Sequence, residues 1–227
     1  MLRKLSLTFG ALALLAGTGL WLAGPSEMSL ENEFSLPFAA NAQTDAVDPS
    51  EIKIIDMIQG DENAPITVVE YASLTCPHCA SFHQEAYKKL KENYIDTGKI
   101  RFEFREVYFD KYGIWASMIA RCTGPDRYFG VIDLMLSTQR TWARAGDDMS
   151  IIGELSKIGR LAGLPDEQLQ SCLQDADKLR ALVAWYQENA TRDGIRSTPT
   201  FLIDGEVHKN MNYDDFAAIL DEKLGEK

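Results

Sequence analysis

Basic residues are scarce in this 227-residue chain. Its 23 lysines and arginines stand against 34 aspartates and glutamates, for a formal net charge of −11. A general nucleic-acid binder needs a basic face to neutralise phosphates, so that class is excluded. A polybasic module that lies on anionic membranes is excluded for the same reason. Cysteine is scarce too: Cys76, Cys79, Cys122 and Cys172 are too few for a small disulfide-built scaffold. No internal repeat or low-complexity tract is present, which removes solenoids and arrays. A zinc site would have to be built on Cys76, Cys79 and His83, and no second cysteine knuckle completes it. What remains is an acidic protein with 45% apolar residues, long enough for one domain with a large insertion.

The N-terminus speaks to compartment. Arg3 and Lys4 precede an uncharged run, Leu5 to Ala23, rich in Leu, Ala and Gly. This is the layout of a secretory signal. An A-x-A cleavage pattern, Ala40-Asn41-Ala42, lies well past the run, which at 19 residues is also just long enough to span a bilayer. Residues 1–23 thus read as a signal peptide or an uncleaved anchor, with a buried helix of a cytosolic protein as the alternative. Either export route keeps Arg3 and Lys4 inside and delivers the C-terminal body to the periplasm, exported or anchored in the inner membrane by residues 5–23. That compartment is oxidising, and cysteines there can pair. Residues 24–49, with Gly24, Pro25, Pro37 and Pro49 and no sustained period, read as a tether.

The body alternates strand and helix before changing character. Ile66 to Tyr71 predicts a buried strand, Cys76 to Tyr94 a helix stopped by Thr97-Gly98, and Ile100 to Val107 a second strand with Ile100, Phe102 and Phe104 on one face. This is a parallel βαβ unit with a right-handed crossover. Only helical signals follow: Ile114 to Cys122, Asp126 to Ser137, Ser150 to Leu161, a helix started by Pro165, and Asp177 to Thr191. Thr200 to Ile203 and Glu206 to His208 form a hairpin turning at Asp204-Gly205, and Asn212 caps a last helix, Tyr213 to Leu224. The expected fold is an α/β sandwich interrupted by a helical insertion: a core over 50–112 and 195–227, and the insertion over 113–194.

The chemistry sits at Cys76-Pro77-His78-Cys79. Two cysteines three apart, after a strand and opening a helix, read as a redox pair. Cys76 falls at the helix N-terminus, where free backbone N–H groups and the macrodipole favour a thiolate; Cys79 lies one turn further in. A stabilised thiolate stabilises the dithiol, so the disulfide becomes a stronger oxidant. A hydrogen bond or positive charge from His78 would push the same way. Pro77 suits a first helical turn, where its missing N–H loses no helical bond. A purely structural disulfide across so short a loop gains little.

The stretch Ser73-Leu74-Thr75-Cys76-Pro77-His78-Cys79-Ala80-Ser81-Phe82-His83, with Ser197-Thr198-Pro199-Thr200-Phe201 downstream, resembles the DsbA family of thioredoxin-fold thiol–disulfide oxidoreductases, most of all its alphaproteobacterial-type members. The resemblance covers roughly residues 50–225, including Cys122-Thr123-Gly124-Pro125-Asp126-Arg127-Tyr128-Phe129-Gly130 and Ser171-Cys172-Leu173. It implies a thioredoxin-like fold with an inserted helical domain, and a Pro-His dipeptide of the oxidase kind. This family is itself the familiar instance of a strongly depressed cysteine pKa. By resemblance, Cys76 is the nucleophile that forms the mixed disulfide with reduced or unfolded exported proteins, and Cys79 resolves it. A DsbB-type membrane oxidase restores the disulfide, no organic cofactor or metal takes part, and the chain is a monomer.

Other residues follow with their alternatives. Thr198-Pro199 matches the family's cis-proline loop, which leaves the backbone of Thr198 to pair with an extended substrate segment; otherwise Pro199 is an ordinary proline starting a strand. Glu70 shares a strand face with Ile66 and Val68, where a carboxylate is costly unless paired. By resemblance it is the family's buried acid beneath the redox pair, relaying the Cys79 proton, with Arg105 as candidate partner; otherwise it is a solvated strand-edge carboxylate. His83, four residues after Cys79, reads as a packing residue or a functional one. Cys122 and Cys172 are expected to form a structural disulfide between helices, which relatives carrying both cysteines support, with two buried thiols as the alternative. Competing functions are a disulfide isomerase or reductase on the same fold and a redox-inert binding module. Isomerases of this superfamily carry a dimerisation domain, which residues 24–50 are too few to form.

Overall fold

The computed structural model describes residues 48–225. The expected targeting segment, the Ala40-Asn41-Ala42 pattern and all but the end of the expected tether lie outside them. No helix among the described residues is long and apolar enough to cross a membrane.

Five strands form one sheet in the order β1-β3-β2-β4-β5: β1 Met57–Gln59, β2 Ile66–Ala72, β3 Ile100–Glu106, β4 Thr200–Ile203 and β5 Glu206–Lys209. β2 and β3 are parallel and every other pair is antiparallel. β2 is central and covered on both faces, so it reads Ile-Thr-Val-Val-Glu-Tyr-Ala without polar alternation. Ile66, Val68 and Glu70 face one side, where register sets them beside Ile100, Phe102, Phe104, Phe201 and Ile203. Val69 and Tyr71 face the other, with Val107, Leu202, Tyr186 and Ile195 packed on them.

The crossover from β2 to β3 is α1, residues 77–95. It is α-helical over Pro77–Phe82 and Lys88–Leu90, and widens to π-helix over His83–Tyr87 and Lys91–Ile95. Gly98, at φ 71°, takes the left-handed turn that ends it. Then come α2 Lys111–Cys122, α3 Pro125–Ser137, α4 Gln139–Trp142, α5 Asp148–Leu161, α6 Asp166–Gln174 and α7 Ala176–Arg192. The helical stretch expected between two sheet regions is there. Pro165 precedes α6 as its N-cap residue rather than opening its first turn. After the β4–β5 hairpin, α8 Tyr213–Gly225 starts where Asn212 Oδ1 accepts from Asp215 N (3.0 Å). Its Phe216 meets Phe82 of α1 and Phe201 of β4, so α1 and α8 share one face of the sheet.

A buried ionic cluster ties the helices to the C-terminal end of β3. Arg121 of α2 donates Nε and Nη2 to the carboxylate of Glu106 at the end of β3 (2.7 and 2.6 Å), and Tyr128 of α3 donates to the same carboxylate (2.7 Å). Arg121 Nη1 reaches Ile55 O (2.9 Å). At the far end of α2, Cys122 is joined by a disulfide to Cys172 of α6, with Cα atoms 6.3 Å apart.

Candidate active site

Cys76 is the N-cap of α1, with extended backbone (φ −81°, ψ 119°), and Pro77 occupies the first helical turn. Cys79, one turn on, faces the sheet and is fully buried, whereas Cys76 keeps 8% of its surface. Both are free thiols, so the geometry is that of the dithiol. The Cys76 thiol is lowered from its ordinary 9.0 to about 5. The hydrogen bond it shares with the Cys79 thiol contributes most; against the cost of burial, the Thr198 side chain and the backbone N–H groups of Cys79 and His78 add to it. These are the orphan donors of a helix start. Burial pushes Cys79 strongly the other way, helped by its bond to Cys76 and by the charge of Glu70. Two chemically identical groups are thus driven apart by their places on one helical turn. His78 acts through its backbone alone: its imidazole is exposed and makes no hydrogen bond to the sulfur.

Beneath the cysteines lies Glu70, fully buried, with His83 beside it at 1% exposure. His83 Nε2 and Glu70 Oε2 are 2.8 Å apart. The ring of His83 stacks on Tyr87 at 4.3 Å and meets the edges of Phe82 and Phe104. The expected partner Arg105 is not the partner, and register gives the reason. Glu70 lies opposite Phe104, so Arg105 pairs with Tyr71 and points to the other face of the sheet. There it donates to Glu103 Oε1 (2.6 Å), Tyr71 OH (2.9 Å) and Asp193 Oδ2 (3.1 Å). His83, four residues beyond Cys79, falls on the same buried helix face and takes the place expected of Arg105.

The Thr198–Pro199 peptide bond is cis. It brings Thr198 O to 3.5 Å from Cys76 Sγ, which donates to it. The remaining wall comes from residues that no sequence motif marks. Gln139, at the start of α4, is buried and donates Nε2 to Leu74 O (2.7 Å) and Cys76 O (3.0 Å). Cys76 O also accepts the first helical bond, from Ala80 N (3.2 Å), so both of its lone pairs are used. Asp110 caps α2 through Gly113 N (2.9 Å) and accepts from Thr75 Oγ1 (2.7 Å). The Cys76 turn is therefore held from α1, α2 and α4 together. Four-residue α4 has no periodicity to detect; a lone glutamine in an apolar surrounding is its one signal.

Comparison with known proteins agrees with this arrangement. The family model described as thioredoxin matches residues 53–222. A Rickettsia prowazekii protein, provisionally named a protein-disulfide oxidoreductase, is 34% identical over 174 residues, or 76% of this chain. The chain spans 62% of that relative's length. The solved structure of alpha-DsbA1 from Wolbachia pipientis superposes with a TM-score of 0.71 at 28% identity, covering 78% of this chain and 96% of that one. BdbD of Bacillus subtilis, in its oxidised form, shares the fold with a TM-score of 0.66 at 23% identity, over 75% of this chain and 93% of its own. The sheet order, the helical insertion and the Cys-x-x-Cys at the start of α1 are those of a thioredoxin-like fold, and the chain belongs to the thioredoxin family as a DsbA-like member.

Proposed function

We propose that the protein is a periplasmic dithiol oxidase: its Cys76–Cys79 disulfide passes to reduced exported proteins through a mixed disulfide at Cys76. The observation that carries this reading is the opposed acidity of the two thiols, with Cys76 near 5 and Cys79 driven up. A stable Cys76 thiolate favours the dithiol and hence the loss of the disulfide to a substrate.

In the first step a substrate thiolate attacks Cys76 Sγ of the disulfide, a substrate–Cys76 bond forms, and Cys79 leaves with the electron pair. Cys79 cannot rest as an anion where it is buried, so it takes up a proton relayed by the buried Glu70–His83 pair. A second substrate thiolate then attacks the substrate sulfur of the mixed disulfide and expels Cys76 as a thiolate. The substrate loses two electrons and the enzyme gains them; a DsbB-type membrane oxidase reverses this. The backbone of Thr198, beside Cys76 and followed by cis-Pro199, lines up the extended substrate segment. His78 lends its N–H, and Pro77 starts the helix. Cys122–Cys172 stays out of exchange and secures α2 to α6. The protein works as a monomer, since one chain holds every group invoked.

The test is the equilibrium of Cys76–Cys79 against glutathione, with oxidation of reduced ribonuclease measured beside rescue of the scrambled form. A strongly oxidising pair that oxidises faster than it isomerises supports the proposal. A potential near that of thioredoxin, about −270 mV, makes the protein a reductase instead.

A further inference from the structure

The arginines of this acidic chain divide by location. Among the described residues, Arg101, Arg105, Arg121, Arg160, Arg180 and Arg192 each pair with a carboxylate. Arg127 donates to two backbone carbonyls, of Thr123 and Ala162. Arg140, Arg144 and Arg196 are exposed and have no such partner. These three flank the nucleophile. Arg140 and Arg144 line a groove of about 500 Å³ whose wall also holds Thr75, Pro77, Gln84 and Tyr112. Arg196 stands two residues before Thr198, whose carbonyl lies against Cys76 Sγ. Arg140 is held close to the Cys76 turn, because Gln139 immediately before it clamps α4 there.

Two other uses of these charges fail. They do not set the thiolate, since the groups that chiefly lower Cys76 are Cys79, Thr198 and two backbone N–H groups. They do not serve the fold, having no internal partner. The one acid among the described residues of the groove wall, Asp110, is committed to Thr75 and Gly113. The neighbouring Lys111 is neutralised by Asp148 (2.6 Å). Unspent guanidinium charge therefore stands in the groove beside the Cys76 turn and, at Arg196, next to the Thr198 loop, in a chain of net charge −11. Such a surface fits carboxylates, which arginine binds through its planar fork.

We propose that Arg140, Arg144 and Arg196 select substrate segments bearing acidic side chains on either side of the reactive cysteine. The groove takes one flank and the Thr198 loop the other. This rests on the oxidase reading for its biological meaning, but binding can be tested apart from it. Short labelled peptides carrying serine in place of cysteine, flanked by Glu, Gln or Lys, are titrated by fluorescence anisotropy at low and high salt. An exposed ion pair contributes roughly threefold in affinity, so the Glu peptide should bind about tenfold or more tighter than the Lys peptide. The gap should close at high salt and vanish in Arg140→Gln/Arg144→Gln/Arg196→Gln. Equal or undetectable binding of all three peptides overturns the proposal, as does a preference that survives the triple substitution. Cysteine-containing versions of the same peptides are then assayed for oxidation. A protein that ranks the serine peptides as stated but oxidises none keeps this inference and loses the oxidase reading.

Discussion

Changing the pH isolates the contribution of Cys76. In the dithiol its thiol ionises at about 5 rather than 9.0. Below pH 5 reduction of the disulfide takes up two protons; above it, only Cys79 is protonated and one is taken up. For a two-electron couple each coupled proton gives about 30 mV per pH unit. The midpoint potential should therefore fall by about 60 mV per unit below pH 5 and by about 30 mV per unit above it. By pH 7 the protein would be about 60 mV more oxidising than a twin with an ordinary thiol. The same shift appears in folding. A lowered pKa stabilises the fold fully above the unfolded value and loses that stability as pH falls through the folded one. The reduced form should thus gain about 3 kcal/mol on the oxidised form between pH 4 and pH 7, the worth of two pH units. Redox titration against glutathione from pH 4 to 8, and urea melts of both forms at pH 4 and pH 7, measure the two quantities. A single slope across that range, or a reduced–oxidised stability difference that does not change with pH, would refute the assignment of Cys76 as a thiolate held at the start of α1.

Four substitutions extend the reasoning. His83→Phe should cost about 3–5 kcal/mol by leaving Glu70 buried without its partner, and Glu70→Leu/His83→Phe should recover most of that loss; urea melts of the single and double variants decide it. Cys122→Ser should cost about 4 kcal/mol of stability, the loop-closure value for a separation of 50 residues, with the Cys76–Cys79 equilibrium unchanged against glutathione. Arg121→Leu should cost about 3–5 kcal/mol by stranding the Glu106 carboxylate, and thermal melts should show that loss largely removed in the double variant with Glu106→Leu. Gln139→Met should raise the Cys76 pKa in a thiolate absorbance titration, because the turn that aims its sulfur at the helix N–H groups loses a clamp; a lower melting temperature with an unmoved pKa would reduce Gln139 to a packing role.

How much of this is legible in the sequence depends on the range of each interaction. β2 and β4 announce themselves because a covered strand is apolar along its length, β3 by Ile100, Phe102 and Phe104 on one face, and the exposed β5 only by the Asp204-Gly205 turn before it. α1 is bounded by local signals, Pro77 in its first turn and Gly98 after its end. Those signals carry the placement of Cys76, since an N-cap is defined by its immediate neighbours. β1 escapes because three residues have no measurable period, and α4 because four residues have none either. The π-helical widening of α1 leaves no local trace. The partner of Glu70 shows the limit most clearly. Arg105 lies in an adjoining strand with the complementary charge, yet a one-residue difference in register turns it to the opposite face. The spacing from Cys79 to His83 already contains the right answer, because four residues make one helical turn and Cys79 is the inward cysteine of the pair.

On the proposed oxidase reading, the opposed acidities of the two thiols also give the exchange its direction. Intrinsic reactivity alone would send an attacking thiolate to the Cys79 sulfur, because Cys76, with the lower pKa, is the better leaving group. Cys79 is fully buried, so that route is closed and attack falls on Cys76. In the proposed cycle the expelled Cys79 is a poor anion and needs a proton, which the buried Glu70–His83 pair would relay. Once Cys79 is protonated it is also a poor nucleophile, so it seldom attacks the mixed disulfide to return the substrate unoxidised. The substrate's own second thiolate meets no such barrier, and the group it displaces is Cys76, whose departure the helix N–H groups favour. Burial of one sulfur and exposure of the other to a helix start therefore do more than tune a potential. In the proposed cycle they make release of an oxidised substrate the easier exit from the mixed disulfide.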